Sequence, residues 1–419
     1  MLKSFVIGSG LISLALAANN STLTTATPDV KSACSFDDFT ATASADVASI
    51  AACPTAVGEI IIEGDSFGSI ELNGLEQLYG SLEVNNATKA VTFNAATLQL
   101  VSGELAFSGN TVLQTLNLAQ LTTVGSLSLK ALPALENAGL TSGITSADAI
   151  VVSDTGLSTL EGINVVKLKT LDINNNGNIE LIDSGLQQVT DSLSISYNSD
   201  QVDVKLDQLT SVKDMVLQSI GSISLANLTS TNGSLSFSSS SIEKIEISSL
   251  KSIGNSLTIN KNSDLTEIEF SKLTSIGGAL QISDNDDLSS FSGFPELKTV
   301  GGSVNINGSF DNGTFESLDR VSGGFNLRSS GDLSCEEFNE LNSDGDIKGD
   351  KYYCSGADKE TSSSSAKSRS SEETSSSSDD SESDESSSSS KSSDSGASKS
   401  VGGILGFILG AAALGVSLY

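Results

Sequence analysis

Histidine and tryptophan are missing from the chain, and aromatic residues make up 5% of its 419 positions. Without histidine, neither a Ser–His nor a Cys–His nucleophile pair can be built. Without tryptophan, a sugar site lined by several stacked rings is disfavoured, since Tyr197 alone lies just beyond a strand-like segment. Lysine and arginine number 22 against 52 aspartates and glutamates, a formal net charge of −30. Nucleic-acid binding, which needs clustered cations against phosphate, is thereby disfavoured, and the acidity speaks for solubility. Also absent are apolar residues at 3.6-residue spacing sustained over ten or more positions, the mark of an amphipathic helix.

What is present is a repeat of 20 to 24 residues, seen most plainly over 273–288. There an apolar-x-apolar triplet, Leu280-Gln281-Ile282, follows Gly278, and Asn285 stands five residues after Leu280. The triplet reads as a short strand with both apolar side chains on one face, the glycine as the turn that admits the chain to it. The asparagine side chain is expected to bond the backbone of its own corner, and stacked corners to share such bonds. Thirteen triplets fit, beginning at Ile60, Leu82, Leu105, Leu127, Ile150, Leu171, Leu193, Met215, Leu235, Leu257, Leu280, Val304 and Phe325. Glycine recurs before many of them, at Gly80, Gly103, Gly125, Gly233, Gly254, Gly278 and Gly302, and the asparagine at Asn110, Asn176, Asn198, Asn262 and Asn285. The rungs at Ile150 and Met215 lack it, and 131–149 fits the template poorly.

Further apolar sets, such as Leu265/Ile268/Phe270 and Leu273/Ile276, give each coil about three sides. The runs are short, β-branched and cut by Gly, Ser and Asn, so they stack as parallel strands. The fold class is all-β: a leucine-rich-repeat-like parallel β-helix of about thirteen rungs. Its outward strand positions, among them Glu83, Ala106, Ser128, Asp172, Ser194, Ser236, Thr258, Gln281, Asn305 and Asn326, form a flat, mostly small and polar face.

The four cysteines lie outside the rungs, Cys34 and Cys53 at one end, Cys335 and Cys354 at the other. Three connectivities are formally open. A solenoid holds its ends apart, which favours Cys34 with Cys53 and Cys335 with Cys354, each bridge worth about 3 kcal/mol by loop closure. They staple caps that cover the end rungs, one with a short helix beginning at Ser44 or Asp46, the other with Glu336, Glu337, Phe338 and Leu341 at helical spacing.

Lys3, the apolar run 5–16 and Ala15-Leu16-Ala17 make a signal peptide of residues 1–17. Secretion exposes the N-glycosylation sequons at Asn19, Asn20, Asn86, Asn227, Asn232, Asn307 and Asn312 to the transferase. Over 361–400 there are 23 serines in 40 residues, mixed with acids and without apolar periodicity, a disordered stalk open to O-glycosylation. Small residues at 395–398, a polar spacer and the apolar 401–418 lay out a glycosylphosphatidylinositol (GPI) attachment signal, with Gly396 (or Ser395) the attachment residue. A transmembrane helix is the rival, but it would carry a basic flank, and Tyr419 alone follows. The domains are then the signal peptide 1–17, an N-terminal region and cap 18–58, solenoid repeats 59–330, a C-terminal cap 331–356, the stalk 357–396 and a GPI propeptide 397–419.

Leu273-Thr274-Ser275-Ile276-Gly277, Leu280-Gln281-Ile282 with Asn285, the paired terminal cysteines and the Ser-rich tail with its anchor signal together resemble fungal GPI-anchored cell-wall organisation proteins of the sporulation-specific and extracellular-mutant group. The resemblance covers essentially the whole chain. The ectodomain is also similar to the receptor L domain, which implies a right-handed β-helix. The family implies a surface protein needed for normal wall structure, with no catalytic residues to carry over. The strongest enzyme candidate is the acidic cluster Asp284, Asp286 and Asp287, since parallel β-helix enzymes cleave polysaccharides with paired carboxylates. Acids at such a corner are expected from turn chemistry alone, and no ordered calcium ligand set is apparent. The expectation is a non-enzymatic, GPI-anchored glycoprotein, with a polysaccharide-binding or polysaccharide-remodelling wall protein as the alternative. No cofactor or metal is implied. Its partners are the plasma membrane through the lipid and, in the alternative, wall polysaccharide, and the oligomeric state stays open.

Overall fold

The computed structural model describes residues 26–357 apart from 200, together with the backbone of Thr361–Ser364. All of these fall in the first of the two units into which the chain divides, Met1–Ala366. The signal peptide 1–17, Asn19, Asn20, Gly396, Ser395 and the propeptide 397–419 lie outside the described residues.

All thirteen triplets lie in strands, and each first residue pairs in parallel with the next: Ile60 with Leu82, Leu82 with Leu105, and so on to Val304 with Phe325. The first and third residue of every triplet are buried. A slip of one residue would turn the whole inward set to solvent, so burial of one face fixes the register. Each fully buried aliphatic side chain contributes about 1.5–3 kcal/mol, most of it offset by the entropy of ordering the chain.

The other sides of the coil are less regular. Lateral strands form three separate ladders, Ser69–Glu71 with Thr92–Asn94 and Thr115–Asn117, Leu181–Asp183 with Val202–Lys205 and Ile220–Ser224, and Lys244–Glu246 with Glu267–Glu269. Between the first two, 131–149 contributes no lateral strand; it makes isolated bridges, Ser146 with Thr123 of the long sheet and Ile144 with Ile163. This is where 131–149 departs from the template. Pro133 removes a ladder donor there, while Leu135, Leu140 and Ile144 keep the core filled.

The glycines before the strands act differently from their expected role as turn formers. Of the seven, Gly80 alone has a positive φ. Their common property is crowding. A Cβ on Gly80 would lie 1.9 Å from the Gly58 carbonyl oxygen, one on Gly125 2.5 Å from that of Gly103, and one on Gly254 2.1 Å from that of Asn232; Gly277 and Gly301, each next to one of the seven, rest in the same way on Gly254 and Gly277, at 2.2 Å. Successive coils touch backbone to backbone here, so no side chain fits.

The left-handed turn sits at the other end of the strand. The fourth residue after the first triplet position has φ between 51° and 57° at Asn86, Ala131, Asp154, Asn175, Tyr197, Ser219, Ser239, Lys261 and Asp284. The next position holds the buried asparagines. They bond mainly to the preceding coil, in place of the corner they occupy. Asn285 Oδ1 accepts from the Asn262 backbone N–H at 3.0 Å, while its Nδ2 donates to the Ile259 carbonyl at 3.0 Å. Asn262 does the same for Ser240 and Phe237, and Asn110 for Ala87 and Val84. Asn176 alone among them also bonds its own corner, at the Asn174 carbonyl. The chain bends sharply after the strand and cannot close its backbone bonds within one coil, so the amide reaches back to the preceding one.

Each cap adds a strand to the ladder as well as a helix. Ser35–Ala41 pairs in parallel with the first rung, Phe39 opposite Ile60, and Lys351–Ser355 with the last, Tyr352 opposite Phe325. Cys34 is bonded to Cys53 and Cys335 to Cys354. Helix α1, Ser44–Ala51, buries Val47 and Ile50, and its start is held by Asp46, whose carboxylate accepts from the Thr42 and Ala43 backbone N–H groups. Helix α2, Glu336–Ser343, inserts Phe338 among Phe291, Phe315 and Phe325. Tyr352 donates from its hydroxyl to Asn339 Oδ1 at 2.7 Å, and burial pushes its phenol up to about 12. The serine-rich segment expected to be without structure begins, over Thr361–Ser364, as an antiparallel edge strand on Lys351–Ser355. Backbone pairing on an open edge needs no apolar side chains.

Candidate functional site

The acidic residues at the corner of the Leu280 rung are divided by the fold. Asp284 occupies the left-handed position, Asn285 turns into the core, and Asp286 and Asp287 follow on the outside, all three carboxylates exposed. Asp284 and Asp286, with Asn307 and Arg328, wall an open cleft of about 380 Å³; Asp287 lies outside it and gives its backbone N–H to the Ser263 carbonyl. A glycosidase pair sets one carboxyl in an apolar pocket to keep it protonated. Here both carboxylates stand in water beside an arginine. Among the described residues no group of three or more His, Cys, Asp and Glu is placed to hold a metal ion.

A charged cluster that went unnoticed in the sequence lies on the lateral side. Lys244 Nζ is 3.0 Å from Glu267, 3.1 Å from Glu246 and 3.5 Å from Glu269. Hydrogen bonds that Lys244 donates to Glu267 and then to Glu246 hold the lysine above its usual range, and Lys244 in turn lowers Glu246. The signal was Lys-x-Glu at 244 and Glu-x-Glu at 267, one coil apart. All four side chains are exposed, and pairs of this kind contribute little to stability.

The described sequon asparagines Asn86, Asn227, Asn232, Asn307 and Asn312 are all exposed. They are spread around the coil: Asn86 at the left-handed corner, Asn232 beside the crowded glycines, Asn307 on the outward side of the long sheet. Of the outward positions expected to make a flat polar face, Ala106 and Ser128 are buried, because short side chains sink between longer neighbours such as Glu83 and Glu104. Tyr197 stands 55% exposed at the rim of this face.

A disulfide-capped parallel β-solenoid with an unbroken apolar core, and with its charged groups on the outside, defines the class. The chain is 38% identical over 341 residues to the cell surface GPI-anchored protein ECM33 of Candida albicans, covering 81% of this chain and 82% of that one. It is 33% identical over 330 residues to the cell wall mannoprotein PST1 of Saccharomyces cerevisiae, covering 78% and 74%. With sporulation-specific protein 2 of the same yeast it shares 28% over 291 residues, covering 69% and 58%. No family model and no solved structure matches the chain. The chain belongs to the fungal GPI-anchored cell-wall proteins of the Ecm33, Pst1 and Sps2 group, and its place is the cell surface and wall.

Proposed function

We propose that the protein is a GPI-anchored surface glycoprotein with a non-catalytic, structural role in organising the fungal cell wall. The observation that carries this reading is the continuous ladder from Ser35–Ala41 to Lys351–Ser355 over one apolar core, with the acidic corner left open to water. Such a body resists deformation and presents fixed surfaces; it offers no sheltered acid–base pair. The signal peptide 1–17, the solenoid 59–330 between caps 18–58 and 331–356, the glycosylated stalk 357–396 and the removed tail 397–419 are parts of the same proposal. So are glycans on Asn19, Asn20, Asn86, Asn227, Asn232, Asn307 and Asn312, and lipid attachment at Gly396 or Ser395.

The test is complementation of a strain lacking the protein. The full chain restores wall integrity, and a chain stopped after Ser395, released to the medium, does not. Restoration by the released form, or liberation of sugar from wall glucan by the purified protein, overturns the structural reading.

A further inference from the structure

The outward side of the long parallel sheet changes character along its length. Over the first six rungs its outward positions include Glu59, Glu63, Glu83, Glu104, Lys130 and Asp172. Over the next six, opened by Leu193, Met215, Leu235, Leu257, Leu280 and Val304, the positions flanking and within the triplets carry one charged residue, Asp214, whose Oδ1 accepts from the Ser234 backbone N–H at 2.7 Å, while the ion pair of Lys213 with Asp191 at 2.7 Å borders them where the strands bulge. The remainder is serine, threonine, asparagine and glutamine, with Ala279 and Val216. Charged residues form roughly a quarter to a third of an ordinary soluble surface. In a chain of net charge −30, a tract this long with so few of them marks a surface suited to an uncharged ligand.

Two details within the tract point the same way. Tyr197 is 55% exposed at the corner ending the Leu193 strand, and Val216 is 41% exposed on the strand beside it. Tyr197 is held at φ 53°, a conformation costly for a bulky residue, and its hydroxyl accepts from Gln218 Nε2 at 2.6 Å, which fixes the ring at the rim of the face.

We infer that this face docks an uncharged polysaccharide chain, with Tyr197 stacked on a sugar ring and the serine, asparagine and glutamine side chains exchanging hydrogen bonds with its hydroxyls. The charge argument selects this occupant. A polyanion is repelled by the molecule as a whole, a polycation finds on this tract one carboxylate, Asp214, already engaged by the Ser234 N–H and 3.8 Å from Lys213 Nζ, and a neutral polymer approaches with few ions to desolvate. Rungs about 4.8 Å apart place hydroxyl or amide groups at most outward positions, so a repeating polymer meets evenly spaced polar groups. A rigid ring with a polar tip supplies contact area at little entropic cost. The inference deepens the wall-organising role and rests on it for the ligand's presence.

The test is co-sedimentation of the detergent-extracted, purified full chain with insoluble β-glucan particles. The wild type pellets, Tyr197→Ala raises the Kd about tenfold, Thr258→Glu abolishes pelleting, and Ser263→Glu, on another side of the coil, pellets as the wild type, all with unchanged Tm. No pelleting by the wild type, or equal pelleting by all four proteins, overturns the inference. Pelleting that appears only in Asn307→Gln shows the face to be covered by the protein's own glycan, which overturns it for the mature protein. The complementation test of the structural role reads none of these variants, so the two proposals fail separately.

Discussion

The two corners that bound each strand of the long sheet solve opposite problems. Before the strand, the backbone runs through ordinary dihedrals yet excludes every side chain, because Gly254, Gly277 and Gly301 each rest on the carbonyl of the coil beneath. After the strand, the backbone takes the left-handed conformation that favours glycine, yet Asn86, Ala131, Tyr197, Lys261 and Asp284 occupy it. Glycine is thus retained where space is missing and dispensed with where only torsional strain is involved. The cost of a left-handed residue is about 1–2 kcal/mol and is tolerated, whereas overlap with a neighbouring backbone oxygen cannot be relieved without moving the coil.

The strand between the corners sets the scale of effects. Ile282→Asp buries an unpaired charge and should cost more than about 4 kcal/mol, while Gln281→Asp, its outward neighbour, should stay within about 0.5 kcal/mol in thermal unfolding. Equal shifts would break the register on which both corners depend. At the crowded corner, Gly254→Ala places a methyl 2.1 Å from the Asn232 oxygen and should cost about 2–4 kcal/mol in denaturant unfolding. A neutral result would mean that steric exclusion is not what the glycine column supplies. At the left-handed corner, Asn285→Ala leaves the Asn262 N–H and the Ile259 carbonyl without their partner, and should cost about 2–3 kcal/mol. A loss below about 0.5 kcal/mol would separate the asparagine ladder from stability. Lys261→Gly should give the smallest effect and the opposite sign, a gain of about 0.5 kcal/mol as left-handed strain is relieved against the extra entropy of glycine. Destabilisation there would show that the lysine side chain, and not its torsion, holds that corner.

Much of this was legible in the residues themselves. The period, the alternation within Leu280-Gln281-Ile282 and the distance between Cys34 and Cys53 each report a local constraint that any sequence reader can apply. The two-residue side-chain period leaves one register that buries the apolar set. The crowding at Gly254 was not legible in the same way, since a glycine in sequence looks alike whether it relieves a torsion or a collision. The acidic corner at Asp284 and Asp286 read as turn chemistry, and Asp284 does take the left-handed turn position, while the Lys244 cluster did not announce itself, because its partners at 267 and 269 become neighbours only when one coil stacks on the next.

By itself, the sequence determined a parallel solenoid of thirteen rungs with local disulfides at its ends, because each rung is specified by a few adjacent residues and burial admits one register. The tertiary structure alone decided which corner takes the left-handed turn, which carbonyl each asparagine reaches, and that both caps continue the ladder. It also decided that Tyr197 stands exposed at the rim of the polar face. Those properties belong to contacts between coils some 20 residues apart, and they exist only once the coils are stacked.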